Sequence, residues 1–457
     1  MTKKLWGGRF KKEIDKDFFE FQKSIQYDYK LAQYDIGHSL IHAAALRVAG
    51  ILKNSEWKKL SLALKEISNE IKKGKFNPDF NSEDIHTDIQ NAIEKKVGAL
   101  ALKLHALRSR NDQIAFDERF YCVRKYLDIV PALLNLMKSL LFLGENNRKQ
   151  KFIGYTHTQR AQVIYFADYL LVFCDMFTRD TERLKRYNEN LFIYIGAGAL
   201  TGSALSIKNY NEAIKESGLI GKDGKIKLAR GPLDNVSDRD FIIEFLSILS
   251  IIQMHLSRLA EDLILYSTTE FNFIDLPEEF CTGSSLMPHK QNPDFLELVR
   301  GNTGKIYGNL VSLLTTMKGL PLSYNRDMQL DKEPLFSSVE TIESELKIMA
   351  KFIKRIKLNK DVIEKALKDE SLYATELAEF LVVKKSVPFK EAHTLIGRLI
   401  RDSQDKNKKI KEMSDEELKC YHQELNQKVI RKIMNPEYAV SSKKTVSRKI
   451  PKIDARI

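Results

Sequence analysis

Residues 241–256 read F-I-I-E-F-L-S-I-L-S-I-I-Q-M-H-L. This is the most apolar long run in the chain, and its reading decides the architecture. Leu249, Ile252, Leu256, Leu259 and Leu263 recur at alternating steps of 3 and 4, which predicts a helix with a packing seam on one face. Ile242, Ile243, Phe245, Ile248 and Ile251 lie off that seam. A helix that is apolar on more than one face is covered on more than one side. Glu244 and His255 interrupt the run, so it does not read as a membrane span. It reads as a core helix surrounded by other helices.

Three more segments carry the same periodicity. They are Val123, Leu127, Val130, Leu134, Met137 and Leu141; Val163, Phe166, Leu170, Phe173 and Phe177; and Val299, Thr303, Ile306, Leu310, Leu313 and Met317. Pro131 falls inside the first and is expected to bend it. With only 21 Gly and 11 Pro in 457 residues, an all-α protein is predicted. A more mixed N-terminal helical region (1–108) precedes a central long-helix bundle (109–360), and a C-terminal helical region (361–457) ends in a basic tail. Asn81-Ser82-Glu83-Asp84 reads as a loop entering a helix, and Ser414-Asp415-Glu416-Glu417 as a capping box. The width of apolar helix surface suggests that several such bundles associate.

The composition, 43% hydrophobic and 30% charged, is that of an ordinary globular protein. The formal charge of +13 reads either as a lysine-rich composition or as attraction for an anionic partner. The densest basic patch is Lys443, Lys444, Arg448, Lys449, Lys452 and Arg456, and no nucleic-acid-binding motif accompanies it. Neither a nucleic-acid nor a membrane partner is expected. Cys122, Cys174, Cys281 and Cys420 form no CxxC pair, which fits a reducing, cytoplasmic setting. The opening M-T-K-K-L-W-G-G-R-F lacks the apolar core of a signal peptide.

Four polar clusters interrupt the helical pattern: R-S-R-N-D-Q (108–113), G-Y-T-H-T-Q-R (154–160), G-S-S-L-M-P-H-K-Q-N-P (283–293) and Y-N-R-D-M-Q-L-D-K-E (324–333). Three stand before predicted long helices and one follows the last. Helix N-termini offer free N–H groups and a positive dipole end, a natural seat for carboxylates. Taken singly, each cluster also reads blandly: a solvated cap, a surface histidine at 157, loop serines at 284 and 285, a solvated lysine at 332.

Together they resemble the fumarase/aspartase superfamily. The 283–293 loop is similar to its signature G-S-S-x-M-P-x-K-x-N. L-W-G-G-R-F (5–10), S-E-D-I-H (82–86), R-S-R-N-D-Q, G-Y-T-H-T-Q-R-A-Q (154–162), S-D-R-D-F (237–241) and L-P-L-S-Y-N-R-D-M-Q-L-D-K-E-P-L-F (320–336) are similar to the argininosuccinate lyase family within it. The resemblance implies an all-α fold with a core of bundled helices, a homotetramer with shared active sites, no cofactor and no metal. It also implies anti elimination of fumarate from argininosuccinate, leaving L-arginine, a late step of arginine biosynthesis.

By that resemblance Ser284 is the base, Lys290 supports it and offsets substrate charge, and His157 gives a proton to the leaving nitrogen. Residue chemistry alone favours His157 as base, because its ordinary pKa suits the task. Ser24, Asn111, Thr156, Asn292, Tyr324, Gln329 and Lys332 match substrate contacts, with Ser109 and Arg110 as neighbours. The chain departs from the family pattern at Ala106-Leu107, where Thr-Gly is usual, at His289 and Gln291, where Gln and Lys are usual, and at Val163, where Pro is usual. A sister enzyme acting on another fumarate adduct, and an inactive structural homologue, are the rival readings. The 320–336 cluster argues against the first. Asn111, His157, Ser284 and Lys290, all in place, argue against the second.

Overall fold

The computed structural model describes residues 11–217 and 225–445. The L-W-G-G-R-F stretch and tail residues Arg448, Lys449, Lys452 and Arg456 lie outside them. The fold is all-α with a few short strands. Its principal helices are α1 (Ala32–Val48), α2 (Ile85–Val97), α3 (Arg110–Asn146), α4 (Phe166–Asn190), α5 (Asp240–Ser267), α6 (Asp294–Met317) and α7 (Lys332–Ile353). Two compact units divide the chain. One comprises Met1–Pro131, Asp180–Gln253 and Asn302–Glu343; the other comprises Ala132–Arg179, Met254–Gly301 and Ser344–Ile457. Helices α3 to α7 each contribute residues to both.

The apolar run 241–256 lies within α5. All five of its seam leucines and isoleucines are buried, as are Ile242, Phe245 and Ile248 off the seam. Helices α3 and α5 are long and apolar enough to cross a membrane by composition, but protein covers these faces of α5. In α3, Val123, Val130 and Met137 are buried, whereas Leu127 is exposed and Leu134 and Leu141 are half-buried. Ile129, Leu133, Leu136 and Leu140 complete the buried face instead. A straight helix drifts about 20° per heptad against a 3.5-residue repeat, so a strict seam walks off the core. In α6, Val299, Ile306 and Leu313 are buried, while Leu298, Tyr307, Val311 and Leu314 are 65%, 41%, 59% and 46% exposed.

The second predicted seam needs correction at its start. Val163 is not helical. It lies in β2 (Gln159–Tyr165), which pairs antiparallel with β1 (Lys151–Thr156), Val163 facing Ile153. Val163 is buried by strand pleating and happens to fall three residues before Phe166, where α4 begins. The β-branched and aromatic residues Val163, Ile164 and Tyr165 favour the extended state there. The polar cluster at 154–160 is therefore a hairpin tip, not a helix start.

In the first unit, α1 packs on the helices Asn54–Lys72 and Ile207–Ser217, presenting the small, buried run Ala43-Ala44-Ala45. Asp84 caps α2, its carboxylate accepting from Thr87 N–H at 2.7 Å. In the second unit, the Ser414–Glu417 capping box starts the short helix Asp415–Lys419. The hairpin root is held by Phe152, whose ring centroid lies 5.3, 5.1 and 5.4 Å from those of Phe166, Tyr266 and Phe273.

Candidate active site

His157 and Thr158 form the two-residue turn between β1 and β2, at φ 53° and 57°. Two consecutive positive φ values define the type I′ turn that matches hairpin twist, normally the place of Asn-Gly. The backbone thus projects His157 and its neighbour Thr156 into solvent; both are exposed.

The 283–293 loop is closed at its base by β3 (Thr282–Gly283) pairing with β4 (Gln291–Asn292). The Thr282 hydroxyl donates to Asp294 of α6 at 2.6 Å, which fastens the loop to the helix start. Ser284 Oγ accepts hydrogen bonds from the backbone N–H of Leu286 at 3.3 Å and of Met287 at 3.0 Å. Two N–H dipoles aimed at one oxygen favour negative charge on it, which a serine base requires. Lys290 is exposed and makes no ion pair among the described residues, and Asn292 is half-buried. Ser284 and His157 belong to the same unit, yet no hydrogen bond joins them.

The other sequence-derived site residues lie in the first unit. Ser24 is buried; its hydroxyl donates to Asp28 at 2.6 Å and its N–H to the Glu83 carbonyl at 2.9 Å. Asp28 also accepts from Ile85 N–H at 3.1 Å. Burial, with the nearby Asp84 charge, pushes the Asp28 carboxyl up to about 7 against the Ser24 hydrogen bond and the Lys332 charge. Gln329 donates to the Gln22 carbonyl at 2.9 Å and bonds Tyr27. Arg326 reaches the same carbonyl at 3.1 Å and Glu83 at 3.2 Å. Burial raises the phenol of Tyr324, with Lys332, Arg326, Asp331 and Arg239 as its charged neighbours. Ser24, Gln329 and Lys332 are thus brought together around residues 22–28, with Tyr324 beside Lys332.

Lys332 starts α7 and is buried. Its ammonium meets Glu118 at 2.7 Å and Asp331 at 2.8 Å. Arg239 pairs with the same two carboxylates, at 3.2 Å to Glu118 and closely to Asp331. Burial alone would lower both cations, but these carboxylates outweigh it and hold them charged. The result is a buried two-plus, two-minus cluster. The sequence signal for Glu118 is a run of charged residues on an otherwise apolar stretch of α3 (115–123), and that for Asp331 is its place beside Lys332 in the 324–333 cluster.

Ser109, Arg110 and Asn111 sit at the start of α3. Arg110 lies 3.4 Å from Asp84 and 3.4 Å from the Thr87 hydroxyl. Asn111 N–H bonds the Ser109 hydroxyl at 3.3 Å, and its side chain donates to the Ala199 carbonyl at 3.4 Å. Asp112 accepts from Gly196 and Ala197 N–H at 3.0 and 3.2 Å, and burial raises its carboxyl to about 6. Leu107 takes φ 59°, so the position where the family pattern has glycine is a left-handed one, strained for leucine. Asp35, His86 and Asp117 place three potential metal-ligand atoms within 4.8 Å of one another. His86 Nδ1 lies 3.1 Å from Asp35 and 3.6 Å from Asp117, and Gln113 donates to Asp35 at 2.7 Å.

The sequence matches the lyase family over residues 8–308 and the argininosuccinate lyase C-terminal family over residues 371–441. An argininosuccinate lyase of Caldanaerobacter subterraneus subsp. tengcongensis is 44% identical over 419 residues, 92% of this chain and 93% of that protein. The chain belongs to the argininosuccinate lyase family. Another member, from Geobacillus sp., is 46% identical over 402 residues, 87% of this chain and 85% of its own. Membership makes the chain a lyase. Among solved structures, EDDS lyase with bound fumarate superposes with a TM-score of 0.77 at 20% identity, covering 93% of this chain and 84% of that one. Class II fumarase from Schistosoma mansoni gives 0.75 at 16% identity, covering 89% and 90%. At such identities these two neighbours establish the fold alone.

Proposed function

We propose that this chain cleaves argininosuccinate to L-arginine and fumarate by anti elimination, in the cytoplasm, as a homotetramer that shares active sites between subunits. Identity above 40% across nearly the whole chain to argininosuccinate lyases carries the activity. The residue roles rest on the site. Ser284 removes the proton beside a carboxylate, and the N–H groups of Leu286 and Met287 hold its oxygen for that charge. Lys290, which makes no ion pair among the described residues, offsets the extra charge of the aci-carboxylate. His157 protonates the departing guanidino nitrogen; acid and base must flank the breaking bonds. Ser24, Ser109, Arg110, Asn111, Thr156, Asn292, Tyr324, Gln329 and Lys332 hold the substrate. Lys332 has two of its three donors committed to Glu118 and Asp331, which fixes the direction of the third.

Two observations support assembly. No hydrogen bond joins His157 to Ser284 within one chain, and the exposed apolar face of α6 is suited to burial against other helices. The decisive experiment adds argininosuccinate to purified protein and follows the ultraviolet absorbance of fumarate. Ser284→Ala is expected to abolish turnover while leaving the assembly state unchanged. Near-normal kcat in that variant refutes the base assignment, and fumarate formed only from a different adduct refutes the substrate.

A further inference from the structure

The tip of the β1–β2 hairpin is not packed on the core. Phe152 and Ile153 at its root are fully buried, but every residue from Thr156 to Arg160 is exposed. A cavity of about 720 Å³ is lined by Thr158, Gln159 and Arg160 of the tip together with Phe271, Lys365 and Asp369. Side chains that fill a core fix a hairpin by shape; over a cavity, the discrete polar contacts must set its position.

Those contacts run to the C-terminal segment. Arg160 donates to Asp369 at 3.1 Å, and Gln162 donates to Glu376 at 3.2 Å. Arg160 and Gln162 flank Ala161, where the register with β1 shifts by one residue, a bulge that re-aims the side chains beside it. Both anchors are themselves fixed. Asp369 accepts from the Ser371 N–H at 3.1 Å and hydroxyl at 2.6 Å, which caps the turn Glu370–Tyr373. Burial pushes its carboxyl up, but the hydrogen bonds from Ser371 and Arg160 outweigh this and hold it below its ordinary value, so it is ionised at neutral pH. Glu376 is buried and needs a countercharge. Lys443, the first of the basic residues of the tail, supplies it at 3.1 Å and reaches Glu379 at 2.5 Å.

We propose that Asp369 and Glu376 are positioning residues for His157: through Arg160 and Gln162 they moor the hairpin that presents it, and Lys443 neutralises the buried anchor. This rests on His157 acting in the reaction. An exposed ion pair such as Arg160–Asp369 adds little to stability. Its effect is on where the turn stands, and a displacement of about 1 Å can cost up to about a hundredfold in rate.

The test is steady-state kinetics on the full-length protein. Asp369→Asn keeps an oxygen for Ser371 but turns a donor toward Arg160. It is expected to lower kcat about tenfold with KM changed less than about twofold, and Asp369→Glu is expected to restore most of the loss. Arg160→Gln, which also loses the bond to Tyr155, should cost at least as much as Asp369→Asn, and the double variant should be no worse than Arg160→Gln alone, since the Arg160–Asp369 contact is already broken there. Wild-type kcat in Asp369→Asn overturns the proposal, as does a double variant whose losses multiply. Should Asp369→Asn fail to fold, Arg160→Gln against Arg160→Lys carries the same comparison. His157→Asn separates the two readings. Retained turnover there refutes the role of His157, whereas its loss beside a fully active Asp369→Asn refutes the mooring alone.

Discussion

Asp28 carries a titration that should be visible in the stability of the protein. Its buried carboxyl is raised to about 7, chiefly by burial, from about 3.9 in an unfolded chain. Between about pH 4 and pH 7 the folded state therefore holds a proton that the unfolded state has released, so stability falls as pH rises through that window and levels off above it. Asn at this position can accept from Ile85 N–H and donate to the Ser24 hydroxyl, so the local hydrogen bonds survive. Asp28→Asn is expected to flatten the pH dependence, read as urea midpoints at about pH 5 and about pH 8 at one protein concentration. An unchanged slope would place the titration elsewhere. At this scale the sequence speaks unevenly. The polar clusters stand out because they break helical periodicity, which is how His157, Ser284 and Tyr324 could be named. The cluster around Lys332 does not stand out: its partner Glu118, and Arg239 that shares the same carboxylates, lie far from it in sequence, and only the fold brings them together.

The elements divide the same way. Long helices announce themselves through repeated steps of 3 and 4, and α5 buries every residue of its predicted seam. The hairpin is obscured because Val163 mimics a helical step while pairing with Ile153 in a strand. Its turn is also irregular in composition, since His157-Thr158 stands where Asn-Gly is preferred. Thr158 is β-branched at φ 57°, a conformation costing roughly 1–2 kcal/mol for a residue with a side chain. Its hydroxyl offsets part of this by donating to the His157 carbonyl at 2.6 Å. Glycine removes the steric cost but adds unfolded-state entropy of about 0.5–1 kcal/mol. The net expectation for Thr158→Gly is a gain of about 0.5 kcal/mol or less, against a clear loss for Thr158→Val, which keeps the strain and loses the hydroxyl. Calorimetric midpoints order the three proteins; a Gly variant clearly less stable than the parent would show that the turn is not strained, and a Val variant as stable as the parent would show that the hydroxyl offsets nothing.

For the whole molecule, the decisive feature is α6. A helix of a self-sufficient domain hides one apolar stripe and exposes polar residues. In α6 the buried stripe is Val299, Ile306 and Leu313, yet Leu298, Tyr307, Val311 and Leu314 remain exposed. Gly301, Gly304 and Gly308 have open space where a side chain would stand, which lets another helix approach closely. Each of these side chains is only about half-exposed, so burying the remainder stabilises an interface by about 1 kcal/mol each, and three or four together bear on whether chains assemble. Val311→Asp with Leu314→Asp should therefore leave each chain folded, since both side chains already face solvent, but should lower the molar mass measured by light scattering below that of the parent. Because the homotetramer is proposed to share its active sites, turnover should fall together with the mass, and mixing with His157→Asn subunits should not restore it. A variant that stays fully assembled would assign the interface to another face. One that dissociates yet turns over normally would show that a single chain holds a complete site.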